Sequence, residues 1–399
     1  MSDVGRVRQN NEDALVVSDE KGLFAVADGM GGHAGGEVAA GMAVDGLMQS
    51  VDALPSSAYL LDPSVANRQM LLNALGRQVD AIGASIYAMG HADASLRGMG
   101  CTLDALLVRG QGLFVAHVGD SRTYALLGGT LYTLTEDHTL GQTLLSSGAL
   151  SPREVAVHPQ RNVLMRALGV YPRVHVDTLY LDLAPGDTIM VCSDGVHGLV
   201  DGGVILDAMG QPPDRAAPML VEAALAAGGR DNATAVVLRV ESCETHSAIR
   251  VGSAEVRQAM AQASLFAGFS EGELLRVQKV AKGRVVAAGE VVFSEGDLCD
   301  QLFLTLDGAL TVWAAGHRVG VMGPGDPFGE MSLSPAISPV TVRAEQPSRV
   351  LAFPLSEVQQ LLASDVSIAA KLAMNSLRRV WQRMSQISAA NIRLRNGSA

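Results

Sequence analysis

Residues 241 to 252, ESCETHSAIRVG, are polar and aperiodic, and the chain reads differently on either side of them. Before this break, β-rich runs bounded by glycine are interspersed with Ala-rich helical runs. After it come short strands framed by turn residues, with helical segments at both ends. A chain of 399 residues has room for two ordinary domains, and the break is where their boundary belongs. The expected division is 1 to 242, a linker and connecting helix over 243 to 261, a second domain over 262 to 390, and a disordered tail over 391 to 399.

Charge divides at the same place. Residues 1 to 242 hold 27 acids against 15 bases, and residues 243 to 399 hold 14 against 15. So acidic a first domain repels phosphodiester backbones and anionic lipid, which argues against nucleic acid or membrane as partners. No run reaches the roughly 18 uncharged apolar residues of a membrane helix, and the N-terminus lacks a signal-peptide layout, so a cytoplasmic protein is expected. Cys101, Cys192, Cys243 and Cys299 show no CxxC spacing and read as small hydrophobes rather than as a disulfide framework or zinc site.

In the first domain, strand signals lie at 23 to 27, 103 to 108, 113 to 118, 123 to 127, 179 to 183, 188 to 192 and 234 to 240. Helical spacing covers 37 to 51, 68 to 89 and 216 to 227. Clustered strands with helices elsewhere predict an α+β antiparallel sandwich flanked by helices. The consecutive strands from 101 to 134 predict one antiparallel meander. In the second domain, Ser270 and Glu273 form a capping-box signature. The short strands between Val285 and Phe353 predict a small β-barrel or jelly roll. A final helix carries Leu377, Trp381, Met384 and Ile387 along one face, expected to pack on the barrel or on a partner helix.

Four Asp-centred segments carry the chemistry: Asn11-Glu12-Asp13, Asp28-Gly29-Met30-Gly31-Gly32, Ser193-Asp194-Gly195 and Gly229-Arg230-Asp231-Asn232. Three adjoin a predicted strand end, where a carboxylate beside a glycine faces a cavity with an unobstructed backbone carbonyl nearby, as hard cations require. Converging carboxylates cannot all stay ionised without cations, and the lack of His or Cys companions points to Mg²⁺ or Mn²⁺ rather than zinc. The spacing Gly29-x-Gly31-x-x-Ala34 imitates a dinucleotide fingerprint. However, Asp28 would repel a pyrophosphate, and no strand with an acidic end follows some 20 residues later. A thiolate phosphatase needs an arginine six residues after its cysteine, and Leu107, Gly198, Ile249 and Thr305 stand there instead.

As an ordered set, SDVGRVRQNNEDAL, VADGMGGHAGGEVA, MGCTLDALLV, HVGDSRTYAL, LTEDHTLGQTLLSSGAL, RNVLMRALG, VCSDGVHGLV and GGRDNATAVVL resemble the metal-dependent type 2C (PPM) serine/threonine protein phosphatases, over about residues 2 to 240. The resemblance implies two packed antiparallel sheets with a binuclear Mg²⁺/Mn²⁺ centre at one end, acting on phosphorylated proteins. It assigns Asp28 as the bridging ligand, the Gly29 carbonyl to one cation, Asp194 and Asp231 to the other, and Glu12 to a contact through water. It places Asp13 and Asn232 behind these ligands, gives Asp120 to a third, weaker cation, and sets Arg8 at the phosphate. Met30 occupies the position where eukaryotic relatives carry histidine, so His33 reads as a loop residue. Relatives also carry a short strand ahead of the first motif, and its shortening here is expected to weaken the sheet edge beside Arg8.

Residues 262 to 390, through LFAGFSEGELLRVQKVAKGRVVAAGEVVFSEGD, QLFLTLDGALTVW and GPGDPFGEMSLSPAISPVTVRA, resemble the cyclic nucleotide-binding domain. That likeness implies a short helix opened by Phe328, Gly329 and Glu330 that receives the cyclic phosphate, with Glu330 on the ribose. The family's phosphate arginine is replaced by Ser338, followed by Pro339, so a positive charge and a backbone donor are both gone. Three readings of this domain stand side by side: a cyclic nucleotide sensor, a sensor of another small ligand, and an interaction or homodimerisation module. For the whole chain, a phosphatase with a C-terminal regulatory domain competes with a catalytically silent phosphoprotein-binding scaffold. The complete set of acids favours the enzyme.

Overall fold

In the computed structural model every residue from 112 to 118 is buried, so this strand has no solvent face and must lie in the middle of a layered structure. The structure describes residues 1–31, 34–242, 254–278, 280–329 and 336–396. It divides into two compact units, Met1–Glu244 and Thr245–Ala399.

The strands of the first unit are β1 (Ser2–Asp3), β2 (Asp13–Ser18), β3 (Leu23–Met30), β4 (Gly100–Cys101), β5 (Leu103–Arg109), β6 (Gly112–Val118), β7 (Arg122–Leu127), β8 (Thr130–Thr133), β9 (Asp177–Asp182), β10 (Thr188–Cys192) and β11 (Ala233–Arg239). They form two antiparallel sheets, ordered β2-β3-β5-β6-β9, with β4 on the end of β3, and β1-β11-β10-β7-β8. The sheets meet through β2 and β3 against β10 and β11. Helices Ala34–Ser50 and Val65–Ala92 cover the outer face of the first sheet, and Gly202–Met209 and Pro213–Ala226 cover that of the second.

Alternation along β6 follows from these layers. Phe114, Ala116 and Val118 pack under the helices, so Leu113, Val115 and His117 face the opposite sheet. Each large apolar side chain so buried contributes roughly 1.5–3 kcal/mol.

The expected meander is broken. Strands β5 and β6 are a hairpin of the first sheet, whereas β7 and β8 belong to the second. The chain crosses at Gly119, whose φ is +114° and where a Cβ would lie 2.5 Å from the Thr102 side chain. Only glycine turns there without a clash. At the N-terminus β1 pairs Ser2 with Thr234, and the Met1 ammonium donates to the Ala235 carbonyl at 2.8 Å, which holds this short edge in place.

The second unit comprises β12 (Lys282–Val286), β13 (Val291–Phe293), β14 (Leu298–Cys299), β15 (Gln301–Asp307), β16 (Leu310–Ala314), β17 (His317–Met322), β18 (Pro327–Phe328), β19 (Ala336–Ile337), β20 (Thr341–Ala344) and β21 (Ser348–Pro354). Two four-stranded sheets, β12-β21-β15-β18 and β13-β20-β16-β17, share one apolar core in the manner of a jelly roll. Helix Ala254–Gln262 buries Val256 and Met260 against Leu302, Leu351 and Phe353 in a second apolar cluster, so this connecting helix packs with the second unit. The final helix, Val366–Asn396, continues past residue 390, where a disordered tail is expected. It buries Ile368, Leu372, Asn375 and Ser376. Leu377 and Trp381 are 64% and 72% exposed, so they do not pack on the barrel, and the partner-helix alternative is untouched; the Met384 and Ile387 side chains lie outside the described part.

The capping box forms: Ser270 N–H donates to Glu273 Oε2 at 2.7 Å, and Glu273 N–H donates to Ser270 Oγ at 3.3 Å. The buried Glu273 carboxylate also accepts from Lys371 Nζ at 2.6 Å and from Ser367 Oγ at 2.6 Å. Burial alone would raise its pKa, but these donors outweigh it and hold the carboxyl at about 2. Its contribution is therefore full above about pH 4.5 and is lost as pH falls toward 2. Glu273→Gln should destabilise the second unit by about 1–2 kcal/mol, since the amide oxygen can still accept from Lys371, itself 37% exposed, but no longer offers it a charge. Thermal melts at pH 7 and pH 3 check this, with the gap between variant and wild type narrowing at the lower pH.

Candidate metal centre

Strand pairing alone brings the first two acids together. In the β2/β3 ladder Asp13 lies directly opposite Asp28, which places both side chains on one face of the sheet, with Cβ atoms roughly 4.5–5.5 Å apart. Two anions so placed repel, and burial sharpens the repulsion. The Asp13 carboxyl is pushed up to about 6, by burial first and then by Asp194 and Asp231. Asp28 is pushed well above the carboxylate range by burial and by repulsion from Asp13, Asp194 and Asp120.

Asp194 opens the short turn Asp194–His197 at the end of β10, and its carboxyl is raised by burial and then by Asp231. Ser193, just before it, donates from Oγ to Asp13 Oδ2 at 2.8 Å and accepts from Thr234 N–H at 3.1 Å, tying β10 to β2 and β11. Asp28 is held by its backbone: its N–H donates to Thr102 Oγ1 at 3.0 Å, and its carbonyl accepts from Thr102 N–H at 2.8 Å. Thr102 Oγ1 in turn lies 2.7 Å from Ser121 Oγ.

Gly29 permits the tight approach of the helix that follows. A Cβ there would sit 2.2 Å from the Gly36 carbonyl oxygen and 2.6 Å from that of Glu12. Asn232 knots the N-terminal loop to the site. Its Oδ1 accepts from Glu12 N–H at 2.8 Å, and its Nδ2 donates to the Val4 and Asn10 carbonyls, each at 2.9 Å. Asp231 is drawn to the rim, where Oδ2 accepts from Arg8 at 2.7 Å; Arg8 is 49% exposed and keeps its other donors free to face solvent. Asp120 stands just past β6, its carboxyl raised to about 7 by burial and by Asp194 and Asp137. Its backbone carbonyl accepts from His197 Nε2 at 2.8 Å.

The expected residues Arg8, Glu12, Asp13, Asp28, Gly29, Asp120, Asp194, Asp231 and Asn232 thus gather at one end of the sandwich. His33 lies outside the described residues. Among the described residues, Asp13 Oδ1 is buried with no hydrogen-bond partner, a lone acceptor in a ring of acids. That is the environment a hard cation or its bound water satisfies. Among the described residues no three His, Cys, Asp or Glu side chains are grouped so as to hold an ion by themselves. Nothing in the sequence marks Thr102, Ser121 or His197 as part of the site, and Ser193 stands out only as the neighbour of Asp194. Their sequence neighbours carry the acids, but no spacing rule marks a hydroxyl as a brace.

The Protein phosphatase 2C family model matches residues 5–231, more than half of the chain. The chain belongs to the protein phosphatase 2C family. Within that family it is similar to the serine/threonine protein phosphatase PstP of Mycobacterium tuberculosis, with 40% identity over 241 residues, covering 60% of this chain and 44% of the relative. It thus spans under half the length of that relative. A serine/threonine phosphatase of Listeria welshimeri is 34% identical over 242 residues, 59% of this chain and 93% of its own. Among solved structures, the catalytic domain of PstP in complex with two manganese ions aligns with a TM-score of 0.52 and 37% identity, covering 61% of this chain and 96% of that one.

A second family model, the cyclic nucleotide-binding domain, matches residues 283–365 of this phosphatase 2C chain. Here the expected ligand residues fare differently. The Phe328 ring is 3% exposed and stacks on Phe303, ring centroids 4.8 Å apart, inside the jelly-roll core, while the helix it is expected to open lies outside the described residues. Gly329 takes φ +72° against the Gln301 carbonyl. Glu330 lies outside the described residues. Ser338 is buried and its hydroxyl is spent locally, donating to the Val340 carbonyl at 2.7 Å and accepting from Val340 N–H at 3.2 Å. Arg343 points away, exposed, with Nε donating to the Gly289 carbonyl at 3.0 Å.

Proposed function

We propose that the first unit hydrolyses phosphoserine and phosphothreonine in proteins with the help of two bound Mn²⁺ or Mg²⁺ ions, in the cytoplasm, and that Asp120 holds a third. The observation that carries this reading is the mutual exposure of Asp13, Asp28 and Asp194 to one another's charge, with Asp13 Oδ1 left unpartnered. The buried free thiols of Cys101, Cys192 and Cys299 suit a reducing compartment. Bound divalent cations supply a water of lowered pKa and neutralise phosphoryl oxygens.

The chain's own residues do the rest. Asp28, Asp194, Asp231 and the Gly29 carbonyl are the ligands, with Glu12 placed to act through water. Thr102 fixes the Asp28 backbone and Ser193 orients Asp13. Arg8 offers its outward donors to the phosphate, a charge-assisted contact that positions it for in-line attack. Phosphopeptide hydrolysis with and without added Mn²⁺ tests the proposal.

For the second unit we propose a regulatory role in which cAMP and cGMP are not the ligands. A cyclic phosphate entering beside Ser338 meets a hydroxyl already closed onto Val340 where the resemblance expects an arginine. Loss of one charge-assisted bond is worth roughly 1.5–3 kcal/mol, about ten- to a hundredfold in affinity. Calorimetric titration of the full chain should therefore detect no submicromolar binding of either nucleotide, and micromolar nucleotide should leave phosphatase activity unchanged. Submicromolar binding would restore the nucleotide-sensor reading.

A further inference from the structure

Asp120 owes its place to a turn that another residue clamps. Gly119, immediately before it, has both backbone polar groups taken by His138. The Gly119 N–H donates to His138 Nδ1 at 3.1 Å, and the His138 N–H donates to the Gly119 carbonyl at 2.7 Å. A backbone N–H can only donate, so Nδ1 is bare on this side and accepts from Gly119. The other ring nitrogen, Nε2, faces the Arg166–Asp177 pair, 3.1 Å from Arg166 Nη1 and 3.3 Å from Asp177 Oδ2, while Arg166 Nη1 also donates to Asp177 Oδ1 at 2.8 Å.

The clamp is rigid for physical reasons. The His138 ring is buried and packs on the His117 ring, centroids 4.5 Å apart. His117 is itself gripped by Asp104 through Nδ1 and by the Glu136 carbonyl at 3.0 Å. The His138 carbonyl accepts from Met165 N–H at 2.7 Å, and Thr139 bridges to Leu164, so the segment from 139 to 164 leaves and returns through this residue.

We propose that His138 is a positioning residue for the weaker cation: by holding Gly119 it sets where Asp120 presents its carboxylate, and it links that carboxylate to the 139–164 segment. The proposal rests on the reading of Asp120 as the ligand of a third cation. It concerns binding rather than the chemical step.

Two substitutions separate the halves of the imidazole. His138→Asn places an amide oxygen close to the former Nδ1 and can still accept from Gly119, while it gives up Asp177. His138→Gln reaches toward Asp177 and gives up Gly119. Mn²⁺ titration of the full chain, read by calorimetry and by electron paramagnetic resonance of free Mn²⁺, is the measurement, with a metal-free thermal melt as a check on folding.

In wild type, two tighter sites and one weaker site are expected. His138→Gln should weaken the weaker site at least tenfold and leave the tighter two unchanged, in the range found for residues that orient a metal ligand. His138→Asn should stay within threefold of wild type, and Asp120→Asn should reproduce the Gln variant's loss. The reverse order of Asn and Gln, equal behaviour of both, or failure of both to fold would assign His138 to the fold alone and overturn the proposal. Absence of Mn²⁺ binding in wild type would instead overturn the metal reading beneath it.

Discussion

Asp28→Asn is expected to lower phosphopeptide turnover by a thousandfold or more while leaving the fold intact. The substitution keeps the side-chain shape and leaves both backbone bonds to Thr102 in place. It removes the charge that two cations would share, and loss of even one organised electrostatic contact at a reacting centre costs roughly a hundred- to a thousandfold. It also removes one of the mutually repelling acids, since Asp28 is pushed up by burial and by Asp13, Asp194 and Asp120. The metal-free variant should therefore melt no lower than metal-free wild type. Asp194→Asn should behave in the same way. Calorimetry, kinetics and melting together check this, and wild-type Mn²⁺ affinity and rate in either variant would show that the ligands are assigned wrongly.

Exhaustive chelation is expected to abolish activity, with Mn²⁺ or Mg²⁺ restoring it and zinc substituting poorly. The same treatment should change how stability depends on pH. The Asp13 and Asp120 carboxyls, ordinarily at 3.8, stand at about 6 and about 7 in the fold. The native state therefore binds more protons than the unfolded chain between about pH 4 and 7, and by linkage the metal-free protein loses stability as pH rises through that window. Saturating Mn²⁺ compensates the negative charge and should flatten the decline. Melting temperatures at pH 5, 6 and 7, with EDTA and with Mn²⁺, measure it; full activity after chelation, or identical pH profiles in the two conditions, would contradict the metal centre.

The acids of the site were legible because their chemistry is local. An Asp beside a glycine at a strand end announces itself within three or four residues, and Asp28-Gly29, Asp194-Gly195 and Asp231-Asn232 all do so. The helices over 34–50, 65–92 and 213–226 were legible because an apolar stripe at helical spacing is also a local property. Strand β2 was missed: its six residues follow directly on Asn11-Glu12 and carry little pattern beyond the acidic motif. That Ser338 stands where the resemblance expects an arginine is read from residue types alone. That its hydroxyl is closed onto Val340 depends on the local turn and could not be read from residue types.

Phe328 shows the same limit. Its sequence context speaks only to the backbone of the segment it opens, and that its ring stacks in the core with Phe293 and Phe303 from other strands follows from the tertiary packing.

By itself the sequence determined which acids stand beside a glycine or asparagine in the four Asp-centred segments, where its composition changes, and which pieces coil into helices, since each depends on neighbours within a few residues. Tertiary structure alone decided that the strands from 101 to 134 divide between two sheets. A short glycine turn looks the same whether a hairpin stays in its sheet or crosses, and only the packing of Thr102 against Gly119 chooses. It alone decided, too, that Asp13 faces Asp28, which follows from strand register, and that His138 grips Gly119 across 19 residues. Register and long-range closure are set by which faces can be buried together, a property of the assembled layers that no single segment carries.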